Sequence, residues 1–224
     1  MIKIPEITLI TFTSVRIPEH IEAMNQCVKD IEFGAVKFLS YKKPNDLPDY
    51  ATFQKIHPMQ NIMHFNTFCF KELYKYIDTS HALLFQDHAY IHNPEMWDND
   101  WLMWDWIGSP WAIVENAYWA NNGERVRVGN GGFSLRSRKI LELPSKMDWD
   151  LRQEQGFYNE DGNFCCYYRK EMIENGIKYA PLEVALKFSY ENPVPEHGGE
   201  YPKTFGFHRN LPPKNEFSRV YKLG

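Results

Sequence analysis

A chain of 224 residues with 43% apolar and 24% charged side chains has the make-up of a globular protein that can bury a core without staples. Its net charge of −4 and its lack of a Lys/Arg block deny it the electrostatic footprint of a non-specific nucleic-acid binder, leaving room only for a local basic patch. Aromatic side chains make up 16%, a level that serves either a densely packed core or a cleft that lays flat rings against pyranose C–H groups.

The β-branched and aromatic run over 7–12 predicts a buried strand. Pro18 then suits a first helical turn, and Ile17, Ile21, Met24, Val28 and Ile31 fall at helical spacing, with Gly34 as the stop. Residues 36–40 predict a second strand, which makes a βαβ opening and an open α/β sheet. A polar, Pro-containing connection covers 41–60. Ile62, Phe65, Cys69, Leu73 and Ile77 mark the next helix. The uninterrupted apolar run 82–85 reads as a central strand covered on both faces. Gln86, Asp87 and His88 stand at its end, where open α/β sheets bind their ligands.

Six tryptophans crowd the stretch 93–122, which Gly108 and Pro110 break into a short helix and loops. Residues 126–128 lead into Gly129-Asn130-Gly131-Gly132, and 133–136 follow as a strand. A polar segment, 148–161, precedes a helix carrying Phe164, Tyr168, Met172 and Ile173 and ending at Gly176. The tail from about 192 reads as irregular, wrapping back over a single domain spanning 1–224. Cys27, Cys69, Cys165 and Cys166 form no CxxC pair and read as reduced, buried thiols. No stretch approaches ~20 apolar residues and the first apolar run is too short for a leader, so a cytoplasmic location and no membrane span are expected.

Four places carry chemistry. Asp87 is a hard ligand for Mg²⁺ or Mn²⁺ at a strand end, with His88 as a second ligand for Mn²⁺; the plain alternative is a turn cap beside a surface imidazole. Gly129 to Gly132 removes side chains where a ligand approaches the backbone, or simply makes a tight turn. Glu160 and Asp161 either favour a helix N-terminus or supply a general base. His208 stands alone in a Gly-Phe-His context. Arg136 and Arg138 suit phosphate oxygens, though exposed strand-end arginines are common. The chain has no Walker loop, no dinucleotide fingerprint, no nucleophile elbow and no HExxH.

In order, Leu-Phe-Gln-Asp (84 to 87), Ile-Gly-Ser-Pro-Trp (107 to 111), Val-Gly-Asn-Gly-Gly-Phe-Ser-Leu-Arg-Ser (128 to 137), Glu160-Asp161, Lys-Tyr-Ala-Pro (178 to 181) with Phe188-Ser189, and Phe-Gly-Phe-His (205 to 208) resemble a small family of glycosyltransferase-like proteins. That family is similar to the GT-A superfamily. The resemblance implies a Rossmann-like α/β sandwich with a mixed, mainly parallel sheet that binds a nucleotide-sugar at its strand ends. It places the metal-binding Asp-x-Asp element on Gln86-Asp87-His88, with His88 where a second aspartate is usual, and the C-terminal metal-binding histidine on His208.

The implied activity is hexosyl or pentosyl transfer from a nucleotide-sugar, assisted by Mn²⁺ or Mg²⁺ held by Asp87, His88 and His208. Gln86, Asp87, Asn130, Gly131, Gly132 and Arg136 would bind the donor. Asp161 or Glu160 would be the base, and Trp104, Trp106 or Trp111 an acceptor platform in place of plain core packing. The acceptor stays open among a glycan, a protein, a metabolite and a modified nucleic-acid base. Two rivals are a non-catalytic GT-A-like binder of glycans or nucleotides, and a metal-dependent hydrolase using Asp87, His88, His92 and His208.

Overall fold

The computed structural model describes residues 1–115, 117–153, 159–198 and 202–209. Its strands, in chain order, are β1 (Ile2–Thr13), β2 (Ile31–Ser40), β3 (Thr52–Lys55), β4 (His81–Phe85), β5 (Ala89–Ile91), β6 (Trp106–Gly108), β7 (Phe133–Ser137), β8 (Ser189–Tyr190) and β9 (Gly206–His208). The helices are α1 (Ile17–Val28), α2 (Ile62–Lys71), α3 (Arg138–Lys146), α4 (Glu160–Gly162), α5 (Arg169–Glu174) and α6 (Leu182–Phe188). Six strands form one mixed sheet in the order β3-β2-β1-β4-β7-β6. β3, β2, β1 and β4 are parallel, and β7 alone runs against its neighbours β4 and β6. The protein is α/β.

Strand alternation sorts the core into two halves, one on each face of this sheet. Ile7 and Leu9 of β1, Leu83 and Phe85 of β4, and Phe133 and Leu135 of β7 enter one cluster. Ile10 and Phe12 of β1 and Ala82 and Leu84 of β4 enter the other. Ile4 breaks this parity by joining Ile7, and the β1–β2 register shifts between Ile4 and Thr8, where β1 advances four residues while β2 advances two, from Ile4↔Phe33 to Thr8↔Ala35. α1 covers the first cluster with Ile21, Met24 and Cys27; α2 and α3 cover the second with Phe68, Cys69, Ile140 and Leu141. β4 is buried along its whole length. Truncating Leu83 or Leu84 to Ala would cost about 2–5 kcal/mol.

Several elements depart from the sequence pattern for identifiable reasons. The first helix ends at Val28, and Gly34 lies inside β2. Ile31 pairs with Ile2, and a β-carbon at residue 34 would collide with the Pro5 carbonyl, so this glycine permits a close strand approach and stops no helix. The connection 41–60 contains β3, an edge strand whose four residues carry too little apolar signal to stand out. The pattern over 62–77 splits into α2 and a 3-10 turn, Leu73–Tyr76. The helical pattern around Phe164 and Tyr168 is α4, a π-helical turn (Asn163–Tyr167) and α5 in succession. α3 follows β7 directly, where the Ser137 hydroxyl accepts the Ile140 N–H at 3.1 Å.

The tail holds the largest correction. β9 is the central strand of a second sheet, β5-β9-β8, antiparallel to β5 and parallel to β8. Residues 154–158 of the polar segment, and 199–201 and 210–224 of the tail, lie outside the described residues. All four cysteines are free and buried. Among the described residues, no helix is long and apolar enough to cross a membrane.

Candidate functional site

A cleft of about 500 Å³ opens where β4 ends and β7 begins. The antiparallel β4–β7 pairing builds its floor. The ladder runs one step past Phe85↔Phe133, since the Gln86 N–H donates to the Gly132 carbonyl at 3.1 Å. This sets the glycine loop beside Gln86. The second sheet adds the other component: β9 pairs with β5, Ala89 opposite His208, and so carries His208 to Gln86 across 122 residues of sequence. The His208 Nε2 lies 3.2 Å from Gln86 Oε1, and its Nδ1 lies 3.2 Å from Glu191 Oε1. Burial lowers the His208 pKa, against the hydrogen bond and charge of Glu191, which raise it.

Close packing explains two glycines. A β-carbon at residue 132 would fall on the His208 ring, and one at residue 131 on the Glu160 carboxylate. The loop amides are not free for a ligand, however. The Gly132 N–H donates to Asn130 Oδ1 at 3.1 Å, and the Gly131 N–H donates to Asp161 Oδ2 at 3.1 Å. The Asn130 amide nitrogen donates in turn to Glu191 Oε2 at 2.7 Å. Gln86, Asn130, Gly131, Gly132, Glu160 and Asp161 all line the cleft.

The two acidic neighbours part company. Glu160 accepts from the Arg136 Nη2 at 2.8 Å and is 5% exposed. Asp161 hangs its carboxylate between the N–H groups of Gly131 and Gly162, the latter at 2.7 Å. Burial, followed by the charge of Glu160, pushes the Asp161 pKa up to about 7, against Arg136 and the two N–H groups. Arg136 does not bind a donor. It is 0% exposed, its nitrogens donate to Ser134 Oγ, Cys69 Sγ, the Gly131 carbonyl and Glu160, and its guanidinium lies 4.2 Å over the Trp106 ring. Strand alternation turns it inward, where an ion pair and a ring replace water.

Of the three expected platform tryptophans, Trp111 alone lines the cleft. Trp106 is wholly buried beneath Arg136, and Trp104 packs half-buried against the first core cluster. Sequence reading missed Tyr118, Asn159, Glu191, Asn192 and Arg209, all in the lining. Glu191 and Asn192 follow the end of the short strand β8, a position that signals a site only once that strand is known.

Asp87 faces a neighbouring slot of about 320 Å³, walled by Phe12, Val15, Met59, Ile62 and Phe65, which shares Ile62, Phe65 and Gln86 with the cleft. Its Oδ1 accepts from the His88 Nδ1 at 2.5 Å, and its Oδ2 is ion-paired with the Arg16 Nε at 2.8 Å. Burial works to raise the Asp87 pKa, but the His88 hydrogen bond and the charges of His20, His88 and Arg16 outweigh it and hold the carboxyl below its usual range. Arg16 itself sits at φ 51 and ψ 42, a left-handed conformation uncommon outside glycine. The His88 ring stacks on His208 with centroids 4.8 Å apart. The structure lends no support to the divalent ion expected on Asp87, His88 and His208. Both Asp87 oxygens are taken by cationic or imidazole partners, and among the described residues no group of three or more His, Cys, Asp or Glu side chains could hold a metal.

These features define an α/β protein with a polar cleft at the carboxyl end of a central strand. The chain belongs to the family described as Protein of unknown function (DUF5672), whose model matches residues 48–208. Among solved structures, it is similar to the one titled Crystal Structure of A197 from STIV, at 13% identity and a TM-score of 0.36, covering 73% of this chain and 76% of that one. No curated protein matches it.

Proposed function

We propose that this protein is a glycosyltransferase on a GT-A-like framework, moving a hexosyl or pentosyl group from a nucleotide-sugar to an acceptor hydroxyl. The observation that carries the reading is Asp161: a carboxylate in the cleft wall, held by two backbone N–H groups and pushed up to about 7. A base titrating near neutral pH is what proton removal from an alcohol in the transition state needs. The acceptor oxygen forms its bond to the anomeric carbon as the bond to the nucleoside diphosphate breaks, and the hydroxyl proton passes to Asp161. Glu160, held by Arg136, keeps the loop in place.

The adjoining slot suits a flat nucleobase, with the stacked rings of Phe12 and Phe65 as one apolar wall and the Ser14 hydroxyl as a polar partner. Arg209, 64% exposed at its side chain, lines the cleft and supplies positive charge for a diphosphate. Gln86 reaches both spaces. Asp87 Oδ1 is hydrogen-bonded to His88 and Oδ2 is ion-paired with Arg16, so the reading asks no cation of this carboxylate. A thermal-shift screen of nucleotide-sugars, with and without Mn²⁺, tests the reading. A donor at a hundredfold excess over its dissociation constant adds about 2.7 kcal/mol of stability. If no donor stabilises the chain and none is hydrolysed, the proposal fails.

One observation favours a second reading, a non-catalytic binder of glycans or nucleotides: the Gly131 and Gly132 N–H groups are hydrogen-bonded within the protein, and Asp87 is bonded to His88 and ion-paired with Arg16. Tight nucleotide-sugar binding with no turnover, unchanged by Asp161→Asn, would establish it. The hydrolase reading has no such support, because Asp87, His88, His92 and His208 do not gather as ligands.

A further inference from the structure

One wall of the cleft is apolar and unusually constrained. The Trp111 ring lies against Gly129, where any β-carbon would collide with it, and stacks with Tyr118 at 4.2 Å between centroids and 15° between planes. Trp111 is fixed to the neighbouring segment from both ends of its peptide unit: its N–H donates to the Arg127 carbonyl at 2.8 Å and its carbonyl accepts from the Arg127 Nε at 3.0 Å. Tyr118 is held at φ 61, a left-handed conformation that a bulky side chain rarely adopts. Its carbonyl accepts the Val126 N–H at 2.7 Å, and the Arg125 Nη2 ties the carbonyls of Val114 and Glu115 at 3.2 and 2.8 Å. A strained residue kept in place by its surroundings points to a use for its side chain. Here that side chain is a ring at the edge of a cleft, with Val114 and Ala117 beside it.

The remaining lining is polar and short of positive charge. Asn159, Asp161, Glu191 and Asn192 line it with amides and carboxylates, and Arg209 is the one arginine or lysine among the described lining residues. Such a lining suits hydroxyl groups and disfavours a second anionic ligand. A flat ring facing acids and amides matches one ligand chemistry above others: a neutral sugar, with an apolar C–H face and a rim of hydroxyls. We infer that the Trp111–Tyr118 wall is the acceptor subsite and that the acceptor is a neutral saccharide, stacked on the Tyr118 ring with a hydroxyl toward Asp161. This rests on the glycosyl-transfer reading for the word acceptor; the saccharide site itself stands on the wall.

The test uses the whole chain on an array of neutral and anionic oligosaccharides without any nucleotide, followed by calorimetry on the glycans bound. Neutral glycans bind the wild type, Tyr118→Ala weakens them about tenfold, and Tyr118→Phe restores them, since the ring face and not the hydroxyl makes the contact. A measurement independent of substitution is proton NMR of a bound neutral glycan, whose C–H signals move upfield over an aromatic ring. Binding of anionic glycans alone, binding of none, or binding indifferent to Tyr118→Ala with no upfield shift overturns the inference. A chain stabilised by a nucleotide-sugar that binds no neutral glycan loses this inference and keeps the transferase reading. A chain that binds neutral glycans but no nucleotide-sugar keeps the subsite and loses the transferase.

Discussion

The Asp161 carboxylate reaches across from α4 to the glycine loop and accepts the Gly131 N–H at 3.1 Å. This bond joins the two motifs 30 residues apart that a base and a donor loop would need side by side.

With its pKa pushed up to about 7, Asp161 is half ionised near neutrality, so transfer should rise as pH climbs through about 7 and level off above it. Asp161→Asn should lower the rate about 10²–10⁴-fold at pH 8. The stability effect has the opposite sense. A carboxyl whose folded pKa lies above its unfolded one binds more protons when folded, so the wild type loses stability as pH rises from about 4 through about 7. Asp161→Asn should therefore melt higher than wild type at pH 8, with the gap closing toward pH 4. Paired melting curves and pH–rate profiles check both halves.

Arg136 and Glu160 form a buried ion pair at 2.8 Å, with side chains 0% and 7% exposed. Arg136→Met leaves Glu160 without its partner and should cost about 3–5 kcal/mol in urea denaturation. Adding Glu160→Gln should recover part of that loss. Arg136→Lys should not rescue, because one ammonium cannot serve Ser134, Cys69, Gly131 and Glu160 together.

Asp87 links the end of β4 to the segment after β1 through Arg16. Asp87→Asn should destabilise by about 1–3 kcal/mol at pH 7. The Asp87 pKa is held low in the folded state, so its contribution is present above the unfolded carboxyl pKa and lost as pH falls through the folded one. The difference between variant and wild type should shrink below about pH 4. Mn²⁺ alone should leave the wild-type melting temperature unchanged; a rise abolished by Asp87→Asn would restore the metal reading.

Burial pushes the thiols of Cys27, Cys69 and Cys166 up to about 12 and raises Cys165 as well. A disulfide reagent at pH 8 should leave all four untouched in the folded chain and titrate all four in guanidinium.

The central strand, the βαβ opening and the place of Gln86 at a strand end were legible because their signals are local: an apolar run, a helical period, a Pro in a first turn. Even Gly34 had a local reading, but the wrong one. Its reason lies in Pro5 on the neighbouring strand, which only the sheet brings near. The short elements β3, β6 and β8 were not legible, since two to four residues carry no period.

The sequence by itself determined the α/β class, the buried thiols and the set of polar residues from which a site could be drawn. Tertiary structure decided which of them meet. Glu160 and Asp161 are adjacent in sequence and look equivalent there, yet one is consumed by Arg136 and the other faces the cleft with a raised pKa. Arg136 and Trp106 looked like ligand contacts, and their places on buried strands turned them into core. Trp111 lines the cleft, where a glycine at 129 lets its ring lie against the chain. His208 reached Gln86 because the tail pairs as β9 with β5, a contact made by hydrogen bonds between backbones that no side-chain pattern encodes. A side chain's chemistry is written in its type, but its protonation, partners and access depend on what the fold packs around it.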